Sequence, residues 1–416
     1  MPATKMSRQH KLPEGKPRGP RGLRGPRAVA VIAAAFFVTM LGPTIPTPLY
    51  PLYEENLGFG GLMVTSIFTT YAVGVAIALV LFGRLSDQLG RRALLLPGLA
   101  LALLSSVVFL IPDSIATLFL GRVLSGLSVG IFTGTATAAL TDLAPSGAQR
   151  RYSLIAALVN MLGLGLGPVM AGALAEFTSA PLTLPYLSHI ALVLLATIGI
   201  VMIAEPLDRT AKPFKWEFQR LSLPLQVRGT FIRAATAGFA GFSVLGLFAS
   251  VAPALLIQVL GVTNHLVCGL IVFAQLGFSA IGQVASTRIQ DRLAMLNGTA
   301  ALSAGILLTG ISILASSLPV LLAGAAVAGI GQGMSFRASL AALAERSPVQ
   351  SRGEITSTFF LVLYVAQALP VMGVGVAAAP LGLAVAGVGF AVFVALIAAG
   401  AFFSLLLQQG TGKGQG

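Results

Sequence analysis

The sequence predicts an all-α polytopic membrane protein with twelve transmembrane helices in two pseudo-symmetric halves of six. Only 9% of its 416 residues are charged and 56% are hydrophobic, whereas a soluble protein of this length would carry roughly a quarter charged residues. A helix needs about 20 mostly apolar residues to cross a bilayer, and twelve apolar stretches of about that length follow one another. A polar stretch separates the sixth from the seventh.

The apolar stretches set the limits of the predicted domains. A basic, Pro- and Gly-rich tail at 1–27 precedes them, and we expect it to be disordered. The first apolar run is too long for the core of a signal peptide and lacks a cleavage site, so we expect it to remain as a helix. The predicted spans lie at about 28–50, 61–82, 94–111, 115–141, 152–176, 185–204, 230–256, 265–286, 296–316, 319–344, 354–378 and 382–407. They form a six-helix bundle at 28–204, a central loop at 205–229, a second bundle at 230–408 and a tail at 409–416.

Basic residues fall on one side of this predicted topology. Of the 26 Lys and Arg residues, 24 lie in or beside the two tails, the central loop and loops 2–3, 4–5, 8–9 and 10–11. Cytoplasmic loops accumulate Lys and Arg, so we expect both termini in the cytoplasm and the protein in the plasma (inner) membrane. The net charge of +13 then follows from topology. We expect no nucleic-acid partner, and we expect anionic lipids at the cytoplasmic face.

Matches between the two halves indicate an internal repeat, as in transporters built from related bundles. A shift of 203 residues places the acid–x–x–Pro segment that begins at Asp142 on the one that begins at Glu345. A shift of 204 residues places Arg84, Asp87 and Leu89 on Arg288, Asp291 and Leu293.

The loop between the second and third predicted spans reads Gly83-Arg84-Leu85-Ser86-Asp87-Gln88-Leu89-Gly90-Arg91-Arg92. It resembles the loop 2–3 motif of the major facilitator superfamily of secondary transporters, Gly-x-Leu-Ala/Ser-Asp-Arg/Lys-x-Gly-Arg-Arg/Lys. Gln88 stands where the family usually has a base. The resemblance implies the fold of that superfamily, and a gate between conformations in which Asp87 faces the start of the eleventh helix near Glu354. The implied gating residues are Gly83, Arg84, Asp87, Gly90, Arg91 and Arg92.

A second motif, in the fifth predicted span, runs from Gly163 to Gly172 and contains Gly167-Pro168. It resembles the Gly-Pro-x-x-Gly motif of the superfamily's twelve-helix drug–proton antiporters. Small residues three or four apart let membrane helices pack closely, and a proline bends the helix that contains it. We therefore expect a hinge between this helix and one of the other half, with ordinary Gly-rich packing as the alternative.

Proton coupling has several candidate residues. Arg122 lies inside the fourth predicted span, in a segment that resembles the superfamily's Arg-x-x-Gln-Gly with Ser125 in place of Gln, and the resemblance implies a part in coupling. A structural arginine that snorkels outward is the alternative. None of the thirteen acids falls near the middle of a predicted span, where proton-coupled transporters usually carry a titratable group. The coupling candidates are Arg122, Glu54, Glu55, Glu176 and His189.

Polar side chains of the second half are candidates for lining a central cavity. Tyr364 and Gln367 are three residues apart and share a helix face, and Arg337 lies inside the tenth predicted span. Interhelical hydrogen bonding or a structural role is the alternative for each. The single Cys268 and the three scattered histidines lead us to expect no intramolecular disulfide, no metal site and no cofactor.

These observations favour a monomeric secondary transporter that works by alternating access. The leading hypothesis is proton-coupled efflux of a small hydrophobic or amphipathic compound, as in multidrug or antibiotic exporters. The absence of a carboxylate in the first span favours a second hypothesis, a facilitator or importer of a neutral nutrient such as a sugar. A third is a transport-inactive sensor or assembly factor on the same fold. We expect no enzymatic activity, and no Gly-rich phosphate loop with Lys-Ser/Thr is present to bind ATP.

Overall fold

The computed structural model describes residues 22–83, 85–205, 221–348 and 351–411, apart from the side chains of Asp87 and of residues 408–411. Twelve helical segments in these ranges are long and apolar enough to cross a membrane, which confirms the predicted fold class. Numbered spans 1 to 12 in chain order, they are Pro26–Leu57, Gly61–Phe82, Arg91–Phe109, Ile115–Asp142, Gln149–Phe177, Leu184–Met202, Leu225–Ser250, His265–Ser286, Asp291–Leu314, Leu318–Arg346, Arg352–Leu381 and Leu383–Leu407.

Span 1 is a broken helix. A regular α-helix, Pro26–Leu41, leads into two short 3-10 turns, Gly42–Thr44 and Thr47–Leu49, and an α-helix resumes at Tyr50–Leu57. Four prolines in this region lack the N–H that an α-helical ladder needs, so the regular hydrogen bonding stops there. Span 1 therefore extends beyond its predicted end at residue 50.

The first described residues pack against the end of span 6. The Leu23 N–H donates to the Met202 carbonyl at 2.9 Å, and the Ala204 N–H donates to the Leu23 carbonyl at 3.1 Å. The end of the predicted disordered tail is therefore ordered. The preceding residues, 206–220 of the predicted central loop and the end of the C-terminal tail lie outside the described residues.

The two halves repeat one packing pattern. Spans 2 and 4, 3 and 4, 3 and 6, 1 and 5, and 1 and 6 contact each other in the first half. Their counterparts six positions later in the second half are also in contact: 8 and 10, 9 and 10, 9 and 12, 7 and 11, and 7 and 12. Across the halves, span 2 packs against span 11 and span 5 against span 8. This relation matches the internal repeat in the sequence.

Equivalent glycines bring equivalent helices together. A Cβ at Gly126 of span 4 would lie 2.3 Å from the carbonyl oxygen of Tyr71 in span 2. At Gly329 of span 10 it would lie 2.2 Å from the carbonyl oxygen of Gln275 in span 8. Small residues of this kind allow close approach of membrane helices. Gly126 and Gly329 are 203 residues apart, the same shift that relates the two acid–x–x–Pro segments.

The ends of the bundle differ in charge. We call the end that carries Arg91 and Arg288 the basic end, and the opposite end, which carries Glu55 and Glu176, the acidic end. At the acidic end the halves are closely packed: the Thr47 hydroxyl of span 1 donates to the carbonyl oxygen of Ala249 in span 7 at 2.8 Å. The structure is therefore a conformation with its acidic end closed.

Candidate functional site

A central cavity lies between the two halves, and both halves contribute to its wall. Its volume is about 40 Å³, room for only a few water molecules. Because spans 1, 2, 4 and 5 face spans 7, 8, 10 and 11 across it, rocking of the halves would change its size and access. This is the place where a two-bundle transporter holds its cargo.

One side of the cavity is aromatic. The rings of Tyr71 and Tyr364 meet edge to face with centroids 6.5 Å apart. Phe242 lies 6.3 Å from Tyr364 and 5.6 Å from Phe336, measured between ring centroids. Aromatic rings prefer such offset and edge-to-face contacts, so this wall suits a flat apolar or aromatic molecule.

The polar atoms of the cavity are neutral, and some have no partner. Asn160 Oδ1 and Gln332 Nε2 are buried without a hydrogen bond, although Gln332 Oε1 accepts one from the Ser279 hydroxyl. A buried polar atom without a partner costs about 1–3 kcal/mol. Asn160 and Gln332 both line the cavity, so a cargo that bonds to them would recover this energy. Neither residue was predicted from the sequence, since nothing in one sequence tells which face of spans 5 and 10 points inward.

Tyr364 and Gln367 line the cavity, but Arg337 does not. Arg337 lies towards the basic end, where its Nη2 contacts the carboxylate of Asp291 at 2.7 Å and its Nε donates to the Ser286 hydroxyl at 2.6 Å. In this conformation Arg337 is therefore not part of the cavity wall. It joins spans 8, 9 and 10 instead.

Arg122 is fully buried one layer behind the cavity wall. Its Nη1 donates to the carbonyl oxygen of Pro43, and its Nη2 donates to the Tyr50 hydroxyl. The residue three positions after Pro43 is Pro46, which has no N–H to offer the Pro43 carbonyl in a 3-10 turn. The guanidinium also lies 5.3 Å from the Tyr50 ring and 5.9 Å from the Phe68 ring, within cation–π range. Arg122 thus holds the broken part of span 1 and does not snorkel outward.

His189 is buried among hydroxyl groups in the first half. Its Nε2 lies 3.0 Å from the Val38 carbonyl oxygen and its Nδ1 lies 2.7 Å from the Ser106 hydroxyl. A carbonyl only accepts, so Nε2 carries the proton, and Nδ1 of the neutral ring accepts from Ser106. The imidazole lies directly on span 1, because a Cβ at Gly42 would be 2.6 Å from its Cε1. An adjoining space of about 10 Å³ is lined by Thr39, Pro43, Ser105, Ser125 and Ser128 among others.

The three acidic coupling candidates lie at the acidic end. Glu55 and Glu176 are exposed, and Glu54 is half-buried. Glu176 Oε2 accepts a hydrogen bond of 2.9 Å from the backbone N–H of His265, the first residue of span 8. The five candidates therefore divide into a buried pair, Arg122 and His189, which both approach span 1 near Pro43, and three less buried acids at the acidic end.

The motif of span 5 lies where that helix contacts two neighbours. A Cβ at Gly167 would be 2.3 Å from the Leu41 carbonyl oxygen of span 1, and one at Gly172 would be 2.3 Å from the His265 carbonyl oxygen of span 8. Gly163 also packs on span 1, against Met40. Pro168 lies inside an unbroken helix. The motif thus connects the two halves through span 5.

The loop 2–3 motif forms a short helix, Leu85–Leu89, followed by Gly90 at φ +100°, a conformation that favours glycine. The Glu205 carboxylate accepts hydrogen bonds from the backbone N–H groups of Arg91 and Arg92 at 2.7 and 3.2 Å, as anions do at helix N-termini.

Side chains of this motif also contact the end of span 4. Arg91 Nε pairs with the Asp142 carboxylate at 2.8 Å, and Arg91 Nη1 donates to the Ser86 hydroxyl at 2.7 Å. Sequence reasoning did not identify Asp142 as a partner, although the internal repeat had marked it. Arg84 and the side chain of Asp87 lie outside the described part of the chain, so the contact of Asp87 with span 11 stays a prediction.

Comparisons with known proteins agree with this geometry. The sequence pattern of the Major Facilitator Superfamily matches residues 32–370. The quinolone resistance protein NorA of Staphylococcus aureus is 28% identical over 191 residues, which are 45% of this chain and 48% of NorA. This alignment spans about half the length of NorA. The chloramphenicol resistance protein CraA of Acinetobacter baumannii is 25% identical over 342 residues, 79% of this chain and 80% of CraA.

Solved structures share the fold at low identity. The human organic anion transporter MFSD10 superposes with a TM-score of 0.66 at 18% identity, over 91% of this chain and 99% of that structure. A bacterial homologue of the human lysosomal transporter Spinster, inward-facing and unoccupied, superposes with a TM-score of 0.69 at 15% identity, over 91% and 97%. By the extent of its sequence match, its twelve spans and the repeated packing of its halves, the chain belongs to the Major Facilitator Superfamily.

Proposed function

We propose that this transporter exports a small hydrophobic or amphipathic compound in exchange for protons. The observation that carries the proposal is the cavity wall, which combines an aromatic cluster with neutral amides whose atoms Asn160 Oδ1 and Gln332 Nε2 lack partners. The relatives NorA and CraA, whose names refer to drug resistance, support export. By the positive-inside rule, the basic end faces the cytoplasm of a plasma membrane.

The cavity defines the class of cargo. Among the described residues, no Asp, Glu, Lys or Arg side chain belongs to its wall, and a charge taken into such a site needs a partner that these residues do not offer. A cargo with an aromatic ring and one or two neutral polar groups fits best. Its ring would pack on Tyr71 and Tyr364, and its polar groups would bond to Asn160 and Gln332.

Among the coupling candidates, His189 suits proton exchange best. It is buried, and its hydrogen bonds reach span 1 at Val38 and span 3 at Ser106. Binding of a proton at Nδ1 would turn this atom from an acceptor into a donor and force the Ser106 hydroxyl to find another acceptor. Such a change at the packing of spans 1, 3 and 6 is a route from protonation to helix movement.

The second candidate function is uncoupled transport of a neutral nutrient. The absence of an acidic side chain from the cavity wall favours it, since a facilitator needs no proton site. The hydroxyl groups of a sugar would then pair with Asn160, Gln332 and Gln367, and the aromatic wall would contact its apolar face.

An accumulation assay separates the two functions. Cells that express the chain are loaded with lipophilic dyes, quinolones, chloramphenicol or a labelled sugar, with and without a protonophore, and cells that express Gln332→Met serve as the control. Lower accumulation of a lipophilic compound, reversed by the protonophore and by Gln332→Met, supports coupled export. Raised accumulation of a sugar that ignores the protonophore would replace this proposal with the facilitator.

A further inference from the structure

A second, larger concave surface lies outside the central cavity. It is a groove of about 700 Å³ between spans 5 and 8, open to the side of the bundle near the basic end. Leu158 and Leu162 of span 5 form one wall, and Phe273, Ile281 and Val284 of span 8 form the other. The volume falls in the range of pockets that bind drug-sized molecules.

The groove is lined by apolar residues along its length and ends at a charged residue. Its span 8 wall follows the residues 273, 277, 281 and 284, which recur every three or four positions and so lie on one helix face. Arg288 follows in the turn just beyond the end of span 8, and this exposed base closes the groove at the basic end. On span 5, Arg151 precedes Leu158 by seven residues and Leu162 by eleven, so it lies on the same face of its helix. Both sides of the groove therefore change from apolar to basic residues at the same end.

We propose that this groove binds one anionic phospholipid of the leaflet at the basic end. The acyl chains would lie along Leu158, Leu162 and Ile281, and the phosphate would pair with Arg288 and Arg151. Charge complementarity selects this occupant, since the apolar walls accept any lipid tail whereas Arg288 in the groove wall, and Arg151 on the same face of span 5 as Leu158, favour a negative headgroup. The site is independent of the cargo in the central cavity.

Quenching by a brominated lipid tests the site in a membrane. The only tryptophan, Trp216, is replaced by Phe, and Ile281→Trp places a reporter in the groove. Ile77→Trp is the matched control, because Ile77 is also exposed and lies five residues before the basic end of span 2, as Ile281 does in span 8. Each protein is placed in vesicles with brominated phosphatidylglycerol or brominated phosphatidylcholine.

We expect the anionic lipid to quench the fluorescence of Ile281→Trp with an apparent affinity about fivefold higher than that of the zwitterionic lipid. For Ile77→Trp, the ratio of the two apparent affinities should be near one. Arg288→Gln should remove most of this preference. Arg352→Gln, which neutralises an exposed base elsewhere at the same end, should leave it unchanged. Equal quenching by both lipids at Ile281→Trp, or equal loss from both arginine variants, would overturn the site.

Native mass spectrometry of the otherwise unmodified chain provides a second measurement that needs no tryptophan reporter. The purified protein is delipidated and titrated with phosphatidylglycerol or phosphatidylethanolamine. One phosphatidylglycerol should stay bound to the wild type and to Arg352→Gln at activation energies that release it from Arg288→Gln. Identical release from all three proteins would contradict the proposal.

Discussion

The carboxylate of Glu176, at the end of span 5, accepts a hydrogen bond from the backbone N–H of His265 at the start of span 8. This contact joins the two halves at the acidic end. It combines a negative charge with a helix N-terminus, an arrangement that is favourable because the first N–H groups of a helix have no partner within it. The same principle underlies the predicted contact of Asp87 with span 11 at the other end.

We predict that Glu176→Ala loosens the acidic end. Loss of one charge-assisted hydrogen bond at an exposed site is worth about 1 kcal/mol, or about fivefold in the population of the open form. The only cysteine, Cys268, is buried one turn beyond His265 and serves as a natural reporter. Its labelling by a maleimide should be about fivefold faster in Glu176→Ala.

Glu55→Ala is the matched control for this experiment. Glu55 is an exposed acid at the same end of the bundle, and its removal should leave the labelling rate of Cys268 unchanged. If both variants, or neither, accelerate labelling, the Glu176–His265 bond does not hold the acidic end closed.

Gly126→Ala should destabilise the transporter. The new Cβ would lie 2.3 Å from the Tyr71 carbonyl oxygen, so spans 2 and 4 must separate, at a cost of about 1–3 kcal/mol. Gly134 lies about two turns further along span 4, and a Cβ added there lies in open space. Gly134→Ala should therefore raise the free energy of unfolding by about 0.5–1 kcal/mol through helix propensity. Thermal unfolding in detergent, followed by size-exclusion chromatography, should rank Gly126→Ala below wild type and Gly134→Ala at or above it. The reverse order would contradict the close packing of spans 2 and 4.

Most of the fold was predicted from the lengths of the apolar segments and the positions of the charged residues. The twelve spans follow from runs of apolar residues long enough to cross a bilayer, and most predicted boundaries agree with the helices to within a few residues. The exceptions are informative. Span 1 continues beyond Pro51 because its prolines break the ladder without ending the helix, and Leu23 is ordered because it pairs with the end of span 6.

The site was less predictable because it depends on which face of each helix points inward. Arg337 lies inside a span by its position in the chain, but the arrangement of spans 8, 9 and 10 directs it to Asp291. Asn160 and Gln332 are isolated polar residues whose orientation only packing decides. Tyr364 and Gln367 line the cavity, and their three-residue spacing had placed them on one face. Glu205 follows span 6 and contacts the start of span 3, a proximity that no local pattern encodes.

Mutation tests whether Gln332 faces the cavity and Arg337 has a structural role outside it. Arg337→Gln removes a pair with Asp291 and should lower the melting temperature by roughly 5 °C while leaving the KM for an exported compound unchanged. Gln332→Met keeps the volume but removes an amide that faces the cavity, so the KM should rise about tenfold with little loss of stability. A large rise in KM for Arg337→Gln would restore it as a cavity residue.

His189→Gln is predicted to uncouple transport from protons. A glutamine amide can still donate to the Val38 carbonyl and bond to Ser106, but it cannot take up a proton, so the helix packing is kept and titration is lost. In proteoliposomes, flux of cargo driven by a pH gradient should fall more than tenfold, while downhill exchange without a gradient continues. Glu54→Gln and Glu55→Gln, which neutralise acids at the acidic end, should retain gradient-driven flux. If His189→Gln retains gradient-driven flux and Glu54→Gln loses it, the proton site is Glu54 at the acidic end and not the buried histidine.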